Sequence, residues 1–165
     1  MDITASQLFK KISKYDNFGS QEIIQKAYFL SKEAHNNQYR GSGEEYFTHP
    51  LAVADYLAEM KLDSSTIITA LLHDVVEDTE ITIKNISDEF GDEISRLVDG
   101  VTKLSKLDLK FGFAQAENFR KLLLASSDDI RVLLVKLADR LHNIRTIDGI
   151  KNNEKRSKIC FETLE

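Results

Sequence analysis

The sequence predicts an all-α fold, a bundle of about eight helices in one domain over residues 1–165. Two observations favour helices throughout. The chain of 165 residues has one proline and seven glycines, so few residues interrupt a helix. Apolar residues also recur at helical spacing in nearly every segment of the chain. A chain of this length can bury one full-sized hydrophobic core.

The ends of the helices in the first half of the chain follow from capping residues. Ser, Thr and Asp side chains accept hydrogen bonds from the free N–H groups at a helix start, and glycine favours a helix end. Proline is tolerated in the first turn. The first predicted helix is capped by Ser20 and spans about residues 21–37. The second has Pro50 in its first turn, and the third is capped by Asp63 or Ser64. A shorter helix starts at Thr82 and stops at Gly91.

In the second half of the chain, apolar spacing locates the helices. One helix carries Ile94, Leu97, Val98, Val101 and Leu104. Residues 105–113, which include Gly112, predict a loop, and helices follow at about 114–126 and 129–147. The last segment, 152–165, has helical spacing without a stop signal. We therefore expect the chain to be cut off within a helix, as in a natural or engineered truncation.

Four ionisable side chains interrupt one otherwise apolar helix. The run 67–72 that leads to them is largely apolar and is expected to be buried. Burying an unpaired charge costs several kcal/mol or shifts its pKa, so a buried ionisable group must be paired or must bind a metal. The neighbouring residues His73 and Asp74 therefore form a candidate metal site. Glu77 and Asp78 follow one helical turn later, each at i,i+4 from one member of that pair.

A second apolar helix has a similar interruption. Asp139 lies inside the largely apolar stretch 131–143. Asn143 and Thr146 extend it into a polar stripe with the spacing i, i+4, i+7, so the three side chains share one helix face. His49 stands at the start of another predicted helix. His49 and Asp139 therefore add an imidazole nitrogen and a carboxylate to the candidate metal ligands.

Two histidines and two carboxylates form a mixed nitrogen and oxygen ligand set. With water completing an octahedron, such a set suits Mn²⁺, while Fe²⁺, Co²⁺ and Zn²⁺ are open alternatives. Each residue taken alone is more often a hydrogen-bonded core residue than a ligand. A shared metal site in the core of the bundle explains why three helices bury costly polar groups together. The predicted metal ligands are His49, His73, Asp74 and Asp139.

These residues lie in four motifs that together resemble the hydrolase domain of RelA/SpoT-type alarmone enzymes, within the HD phosphohydrolase superfamily. The most specific are the Glu-Asp-Thr sequence after His-Asp-Val-Val and the block Leu-Ala-Asp-Arg-Leu-His-Asn. The motifs occupy residues 40–50, 70–79, 99–104 and 135–146. The resemblance spans about residues 20–165, almost the whole chain.

The resemblance implies an HD-domain helical bundle that hydrolyses guanosine 3′,5′-bis(diphosphate) (ppGpp), or its pentaphosphate analogue, to GDP or GTP and pyrophosphate. It implies dependence on Mn²⁺, attack by a metal-activated water, and the four metal ligands above. The implied catalytic pair is Glu77 and Asp78, either of which can hold the water or take its proton. The implied nucleotide-binding residues are Arg40, Ser42, Asn143 and Thr146. Nothing in the chain corresponds to the synthetase domain of bifunctional relatives, so we expect no synthesis.

Two positions depart from the family pattern. The family often has a basic residue where this chain has Gly41, and it usually has proline where this chain has Glu45. Both lie in the loop expected to contact the nucleotide, so we expect weaker substrate binding. Two alternative functions stay open. One is an HD phosphohydrolase for another nucleotide such as NADPH, and the other is a non-catalytic module that binds the alarmone.

Composition limits the expected partners and location. The formal net charge of −5 gives no general attraction to nucleic acid. Cys160 is the only cysteine, so no internal disulfide can form, which suits a reducing cytosol. No apolar run is long enough for a bilayer, and the N-terminus lacks a signal-peptide core. We therefore expect a cytoplasmic protein that binds a guanine nucleotide, without nucleic-acid or membrane partners.

Five basic residues within or beside the motifs could steer an anionic substrate into a cleft or lie on solvated helix faces: Arg40, Lys103, Lys136, Arg140 and Arg145. We expect Lys136 on the outer, solvated face of its helix. We expect His35 and His142 to serve packing or surface roles rather than metal binding. Among the basic residues, Arg40 is the strongest candidate for direct contact with the substrate, because it lies on the loop that the RelA/SpoT-type family uses to bind nucleotides.

Overall fold

The computed structural model describes residues 4–16, 21–108, 129–150 and 152–164 of the chain. Over these ranges it contains nine α-helices, one short 3₁₀ helix and an isolated β-bridge. The helices are α1 (Ala5–Ile12), α2 (Gln21–Ala34), α3 (Thr48–Glu59), α4 (Ser64–Leu72), α5 (Val75–Asp78), α6 (Ile83–Phe90), α7 (Asp92–Asp108), α8 (Ile130–Arg145), the 3₁₀ helix (Ile147–Gly149) and α9 (Asn153–Leu164). The predicted all-α class is confirmed, and the helix number is close to eight.

Local capping explains where several helices begin. Asp63 accepts a hydrogen bond from the backbone N–H of Thr66 at 2.8 Å and caps α4. Thr82 and Asn85 form a reciprocal capping box at the start of α6, and Gly91, with a φ of 84°, ends that helix. The sequence predicts these ends correctly because each depends on residues only a few positions away.

Other helix ends differ from the predictions, since apolar spacing locates a helix better than it locates its last residue. The differences are that α2 ends at Ala34 rather than near residue 37, that α7 continues through Asp108 instead of giving way to a loop at residue 105, and that α8 ends at Arg145. The predicted cap Ser20, the rest of the predicted loop and the predicted helix 114–126 lie outside the described residues.

α4 is the central helix of the bundle. Its residues from Thr66 to Leu72 are all buried, because α4 contacts α2, α3, α7 and α8. Ile67, Ile68 and Leu71 are almost fully excluded from solvent, and each such side chain stabilises the fold by roughly 1.5–3 kcal/mol relative to exposure. The burial of α4 also carries the next residue, His73, into the core.

The helix predicted to continue through the His-Asp pair is interrupted at that pair. α4 ends at Leu72, and the separate short helix α5 begins at Val75. Asp74 lies between them, and its carbonyl accepts a hydrogen bond from the backbone N–H of Asp78 at 2.9 Å. The one-turn spacing between the two aspartates is therefore kept, although they do not belong to one continuous helix.

A glycine inside α7 allows this helix to approach α8 closely. A Cβ atom at Gly100 would lie 2.9 Å from Cγ2 of Val132, a buried side chain on α8. We expect Gly100→Ala to lower the free energy of unfolding by about 1–3 kcal/mol, the usual cost of overpacking, even though alanine normally favours a helix. Urea denaturation measures this change.

The control for this prediction is the double variant Gly100→Ala/Val132→Ala. Truncating Val132 removes the methyl groups that the new Cβ would meet. The two changes together should therefore cost less than the sum of the two single changes. A single Gly100→Ala variant as stable as the wild type would contradict the close packing of α7 on α8.

Candidate metal centre and active site

The four predicted metal ligands converge where α3, α8 and the end of α4 meet. His49 Nε2 lies 3.5 Å from Asp74 Oδ2 and 3.2 Å from Asp139 Oδ1. His73 Nε2 lies 3.1 Å from Asp74 Oδ1. Ligand atoms of His49, His73 and Asp74 all lie within 4.8 Å of one another. Residues far apart in the sequence thus direct nitrogen and oxygen atoms toward one small volume.

This arrangement fits a divalent cation. The Nδ1 atom of His73 lies 2.8 Å from the carbonyl oxygen of Ala70, so it donates a hydrogen bond there and leaves Nε2 to face the other ligands. That Nε2 atom is buried and has no hydrogen-bond partner among the described residues, although Asp74 Oδ1 is close. A buried nitrogen without a partner is costly. A cation held between the imidazole nitrogens and the carboxylates would satisfy it.

Charges within the centre keep both carboxylates ionised. Burial alone raises the pKa of Asp74, but His73 and His49 outweigh it and lower the pKa. Burial also opposes ionisation of Asp139, whose pKa is lowered by its contact with His49 and by Lys136. Burial lowers the pKa of His73, but Asp74 and Asp139 outweigh this effect and raise it to about 9. A metal that binds here must therefore displace a proton from His73.

Two side chains of α8 hold Asp139 in place. Lys136 Nζ lies 3.1 Å from Asp139 Oδ2 and 2.9 Å from Ser105 Oγ, and Asn143 Nδ2 donates to Asp139 Oδ1 at 2.7 Å. Lys136 is 9% exposed, so the expectation that it lies on a solvated outer face is wrong. Helical spacing shows which residues share a face, but it does not show which neighbour covers the edge of that face.

His142 contacts the candidate ligand His49 on the side away from the carboxylates. The Nδ1 atoms of the two rings lie 2.8 Å apart, and His142 is buried. Burial, followed by the nearby His49 and Arg40, lowers the pKa of His142 to about 3, so its ring is neutral. The expected packing role agrees with this burial, but the contact with a ligand was not predicted. The available signal was the position of His142 three residues after Asp139, on the same helix face.

Glu77 and Asp78, the predicted catalytic pair, lie at the end of α5 with exposed side chains. The hydroxyl of Tyr46 lies 2.6 Å from Asp78 Oδ2 and 2.9 Å from Asp74 Oδ2, so it joins Asp78 to the candidate metal ligand Asp74. Burial and the nearby Asp74 raise the pKa of Tyr46 far above its usual value, so the hydroxyl stays protonated. Partial desolvation and then Asp74 also raise the pKa of Glu77. Tyr46 was not among the predicted site residues, and its place in the first motif was its only signal in the sequence.

A cavity of about 320 Å³ opens beside these carboxylates and contains the predicted nucleotide-binding residues. Arg40 Nη2 donates a hydrogen bond to Asn143 Oδ1 at 2.8 Å and lies 3.4 Å from Thr146 Oγ1. Ser42 lines the same cavity. All of the predicted site residues except His73 line it. The structure therefore brings together the metal, catalytic and nucleotide residues that the sequence predicts.

Residues 27–165 match the family model of the HD domain. The chain belongs to the HD-domain family. It is 51% identical over 160 residues to the GTP pyrophosphokinase rsh of Brucella abortus and 52% identical over 143 residues to the bifunctional (p)ppGpp synthase/hydrolase SpoT of Escherichia coli K12. These alignments cover 96% and 86% of this chain but 21% and 20% of the relatives. The chain thus spans about a fifth of the length of these curated relatives.

A solved structure has the same fold as this HD domain. It is that of a metazoan ortholog of SpoT that hydrolyzes ppGpp, and it superposes with a TM-score of 0.67. The match covers 86% of this chain and 81% of the other chain at 24% sequence identity. The predicted resemblance to RelA/SpoT-type proteins is confirmed by these relatives together with the family match. No helix in the described part of the HD domain is both long enough and apolar enough to cross a bilayer.

The two departures from the family pattern lie in different surroundings in this HD domain. Gly41 lines the cavity that contains the candidate metal ligands His49, Asp74 and Asp139. Glu45 is exposed and lines a separate cavity of about 140 Å³ together with His35. The wall of the main cavity therefore has no side chain at Gly41, while the carboxylate of Glu45 belongs to a different surface.

Proposed function

We propose that this HD domain is a Mn²⁺-dependent guanosine 3′,5′-bis(diphosphate) 3′-pyrophosphohydrolase, which releases pyrophosphate and GDP, or GTP from the pentaphosphate. The observation that supports this most is a centre of two histidines and two aspartates beside a second pair of carboxylates in one cavity. The identity to the (p)ppGpp synthase/hydrolase SpoT of Escherichia coli supports the choice of substrate.

We assign the metal ion to His49, His73, Asp74 and Asp139. Two imidazole nitrogens and two carboxylates suit Mn²⁺, which accepts hard oxygen ligands and completes its shell with water. A divalent ion bound there lowers the pKa of water and neutralises charge on phosphate oxygens. The protein groups keep the site ready for the ion, because Lys136 and Asn143 hold the Asp139 carboxylate and the Ala70 carbonyl directs His73.

Proton transfer falls to the second pair of carboxylates. Hydrolysis forms a bond from a water oxygen to phosphorus and breaks the bond from that phosphorus to the 3′ oxygen of the ribose. A base must take a proton from the water, and the departing 3′ oxygen must receive one. Glu77 and Asp78 both border the cavity. Its raised pKa favours Glu77 as the proton acceptor, while Tyr46 holds Asp78 beside Asp74.

Local cations explain how an acidic chain attracts a polyphosphate. The formal net charge of the chain is −5, but Arg40, Lys136 and Arg140 all line the cavity. Positive side chains concentrated in a cleft raise the local concentration of an anionic substrate. Arg40 is the residue we assign to direct contact with the nucleotide, together with Ser42, Asn143 and Thr146.

We expect Arg40→Ala to raise the KM for guanosine 3′,5′-bis(diphosphate) roughly 10- to 100-fold, with kcat within about threefold of the wild type. A hydrogen bond from a charged group contributes about 1.5–3 kcal/mol, which corresponds to such a factor. Initial rates of pyrophosphate release over a range of substrate concentrations measure both constants. Lys26→Ala is the matched control, because it removes an exposed cation that pairs with Glu89 outside the cavity. An unchanged KM in Arg40→Ala would remove Arg40 from the proposed contacts.

The proposed reaction is tested by the release of pyrophosphate and GDP from guanosine 3′,5′-bis(diphosphate) by the 165-residue chain. Release should require Mn²⁺, stop with a chelator and return when Mn²⁺ is restored in excess. Circular dichroism and metal analysis establish that the assayed protein is folded and loaded. A folded, Mn²⁺-loaded chain that releases neither product would overturn the proposal.

A different nucleotide substrate is the second candidate, and Gly41 is the observation that favours it. The cavity wall has no side chain where the resembling family often has a basic one. Phosphate release from NADPH that exceeds pyrophosphate release from the alarmone would support this candidate. The presence of both Glu77 and Asp78 at the cavity argues against a module that only binds the alarmone.

A further inference from the structure

We propose that His142 is a positioning residue that fixes the tautomer and orientation of His49 for metal binding through Nε2. The proposal rests on the metal centre assigned above and not on the identity of the nucleotide. His142 is not one of the four assigned metal ligands, and its ring would not contact the ion.

The two histidine ligands are held by different kinds of partner. The Nδ1 atom of His73 faces a backbone carbonyl, that of Ala70, at 2.8 Å. The Nδ1 atom of His49 faces the side chain of His142 at the same distance. A histidine that binds a metal commonly uses its other ring nitrogen as a donor to a fixed acceptor, which sets the tautomer and the ring plane. The partner of His73 persists under any substitution, whereas the partner of His49 is a single side chain.

Geometry assigns the proton between the two rings. The Nδ1 atoms of His49 and His142 lie 2.8 Å apart, so one of them donates a hydrogen bond and the other accepts it. The Nε2 atom of His49 lies 3.2 Å from Asp139 Oδ1 and 3.5 Å from Asp74 Oδ2, so it is the atom that faces the ion. Metal binding requires a lone pair there, so the proton of His49 must lie on Nδ1 and point to His142. His142 must then accept through Nδ1 and carry its own proton on Nε2.

The ring of His142 is held firmly enough for this role. It is 7% exposed, and it packs between the rings of His49 and Tyr56, at centroid distances of 4.9 and 6.1 Å. The guanidinium of Arg145, which is on α8 with His142, lies 4.9 Å from the centroid of the Tyr56 ring on α3. The carbonyl oxygen of His142 accepts hydrogen bonds from the N–H and hydroxyl of Thr146, the C-cap residue of α8. The acceptor therefore has a defined position relative to His49.

A packing role and a positioning role predict different substitution patterns. His142→Phe keeps an aromatic ring but removes the acceptor, whereas His142→Asn loses volume but places an oxygen at the same branch point as Nδ1. If His142 positions His49, then Phe should weaken Mn²⁺ binding by about 10- to 100-fold, and Asn should restore most of that loss. If His142 only fills space, then Phe should bind Mn²⁺ like the wild type and Asn should be the poorer variant.

The measurement is the Mn²⁺ dissociation constant by competition with a fluorescent chelator, with the melting temperature of each metal-free variant measured alongside. Ile86→Val, a conservative change in the buried part of α6, shows what a loss of stability alone does to metal affinity. Wild-type affinity in His142→Phe, or equal losses in Phe and Asn, would overturn the proposal. A wild type that binds Mn²⁺ but hydrolyses no alarmone would remove the proposed reaction and leave this inference standing.

Nitrogen NMR of the wild-type chain provides a test that does not depend on the folding of a variant. In the Zn²⁺-loaded protein, which is diamagnetic, we expect His49 to carry a proton on Nδ1 and to bind the metal through Nε2. We expect His142 to carry its proton on Nε2. Metal binding through Nδ1 of His49, or a wild type without affinity for any of the candidate ions, would overturn the inference.

Discussion

Replacing Asp139 with asparagine is expected to weaken Mn²⁺ binding by more than about 100-fold, since loss of a group that only supports a ligand already costs about 10- to 100-fold. The change removes one of the two carboxylates in the candidate centre, and Asp139 Oδ1 lies 3.2 Å from His49 Nε2. Hydrolysis should be lost with the metal. Chelator competition measures the affinity, and pyrophosphate release at saturating Mn²⁺ measures the activity.

The same substitution should also destabilise the metal-free protein. Lys136, which is 9% exposed, would lose the carboxylate that lies 3.1 Å from its ammonium group. Removing one partner of a buried ion pair costs roughly 3–5 kcal/mol, because the desolvated ammonium loses the compensating charge of that carboxylate. The double variant Asp139→Asn/Lys136→Met separates the two effects, since it should recover stability without recovering metal affinity. Wild-type Mn²⁺ affinity in Asp139→Asn would remove this residue from the ligand set.

Replacing Glu77 with glutamine and Asp78 with asparagine is expected to abolish turnover while the metal stays bound. A positioned acid or base contributes about 10²- to 10⁴-fold to a rate, so each single change should lower kcat by a factor in that range. Because the two residues act in one proton-transfer sequence, the double variant should lose less than the product of the two single effects. Pyrophosphate release at saturating substrate and Mn²⁺ measures the change.

Glu80→Gln is the matched control for the catalytic pair. Glu80 is an exposed carboxylate two residues after Asp78, and it does not line the cavity. Its substitution should leave kcat within about twofold of the wild type, as expected for a surface change far from any buried feature. Substantial turnover by the Glu77→Gln/Asp78→Asn variant would overturn the assignment of the pair. Loss of Mn²⁺ from that variant would instead place one of these carboxylates among the ligands.

The sequence predicted those residues of the candidate site that differ in chemical type from their immediate sequence neighbours. Ionisable residues in apolar runs identified His73, Asp74 and Asp139, because burial of an unpaired charge is costly wherever it occurs. Tyr46 and Lys136 gave no comparable signal. A tyrosine in a loop and a lysine on a helix are common at surfaces, so nothing local indicates that both meet carboxylates of the metal centre.

The sequence by itself determined the helical class, the caps of α4 and α6, and which residues are candidate metal ligands, because spacing, capping and apolar context act over a few positions. Only the tertiary structure decided the contacts that make these residues one site. Tyr46 and Asp74, Ser105 and Lys136, and His49 and His142 are separated by 28, 31 and 93 positions. The packing of α3, α7 and α8 around the buried helix α4 places these side chains together. A periodic pattern shows the apolar face of each helix, but the choice of neighbour depends on how all the faces are buried at once.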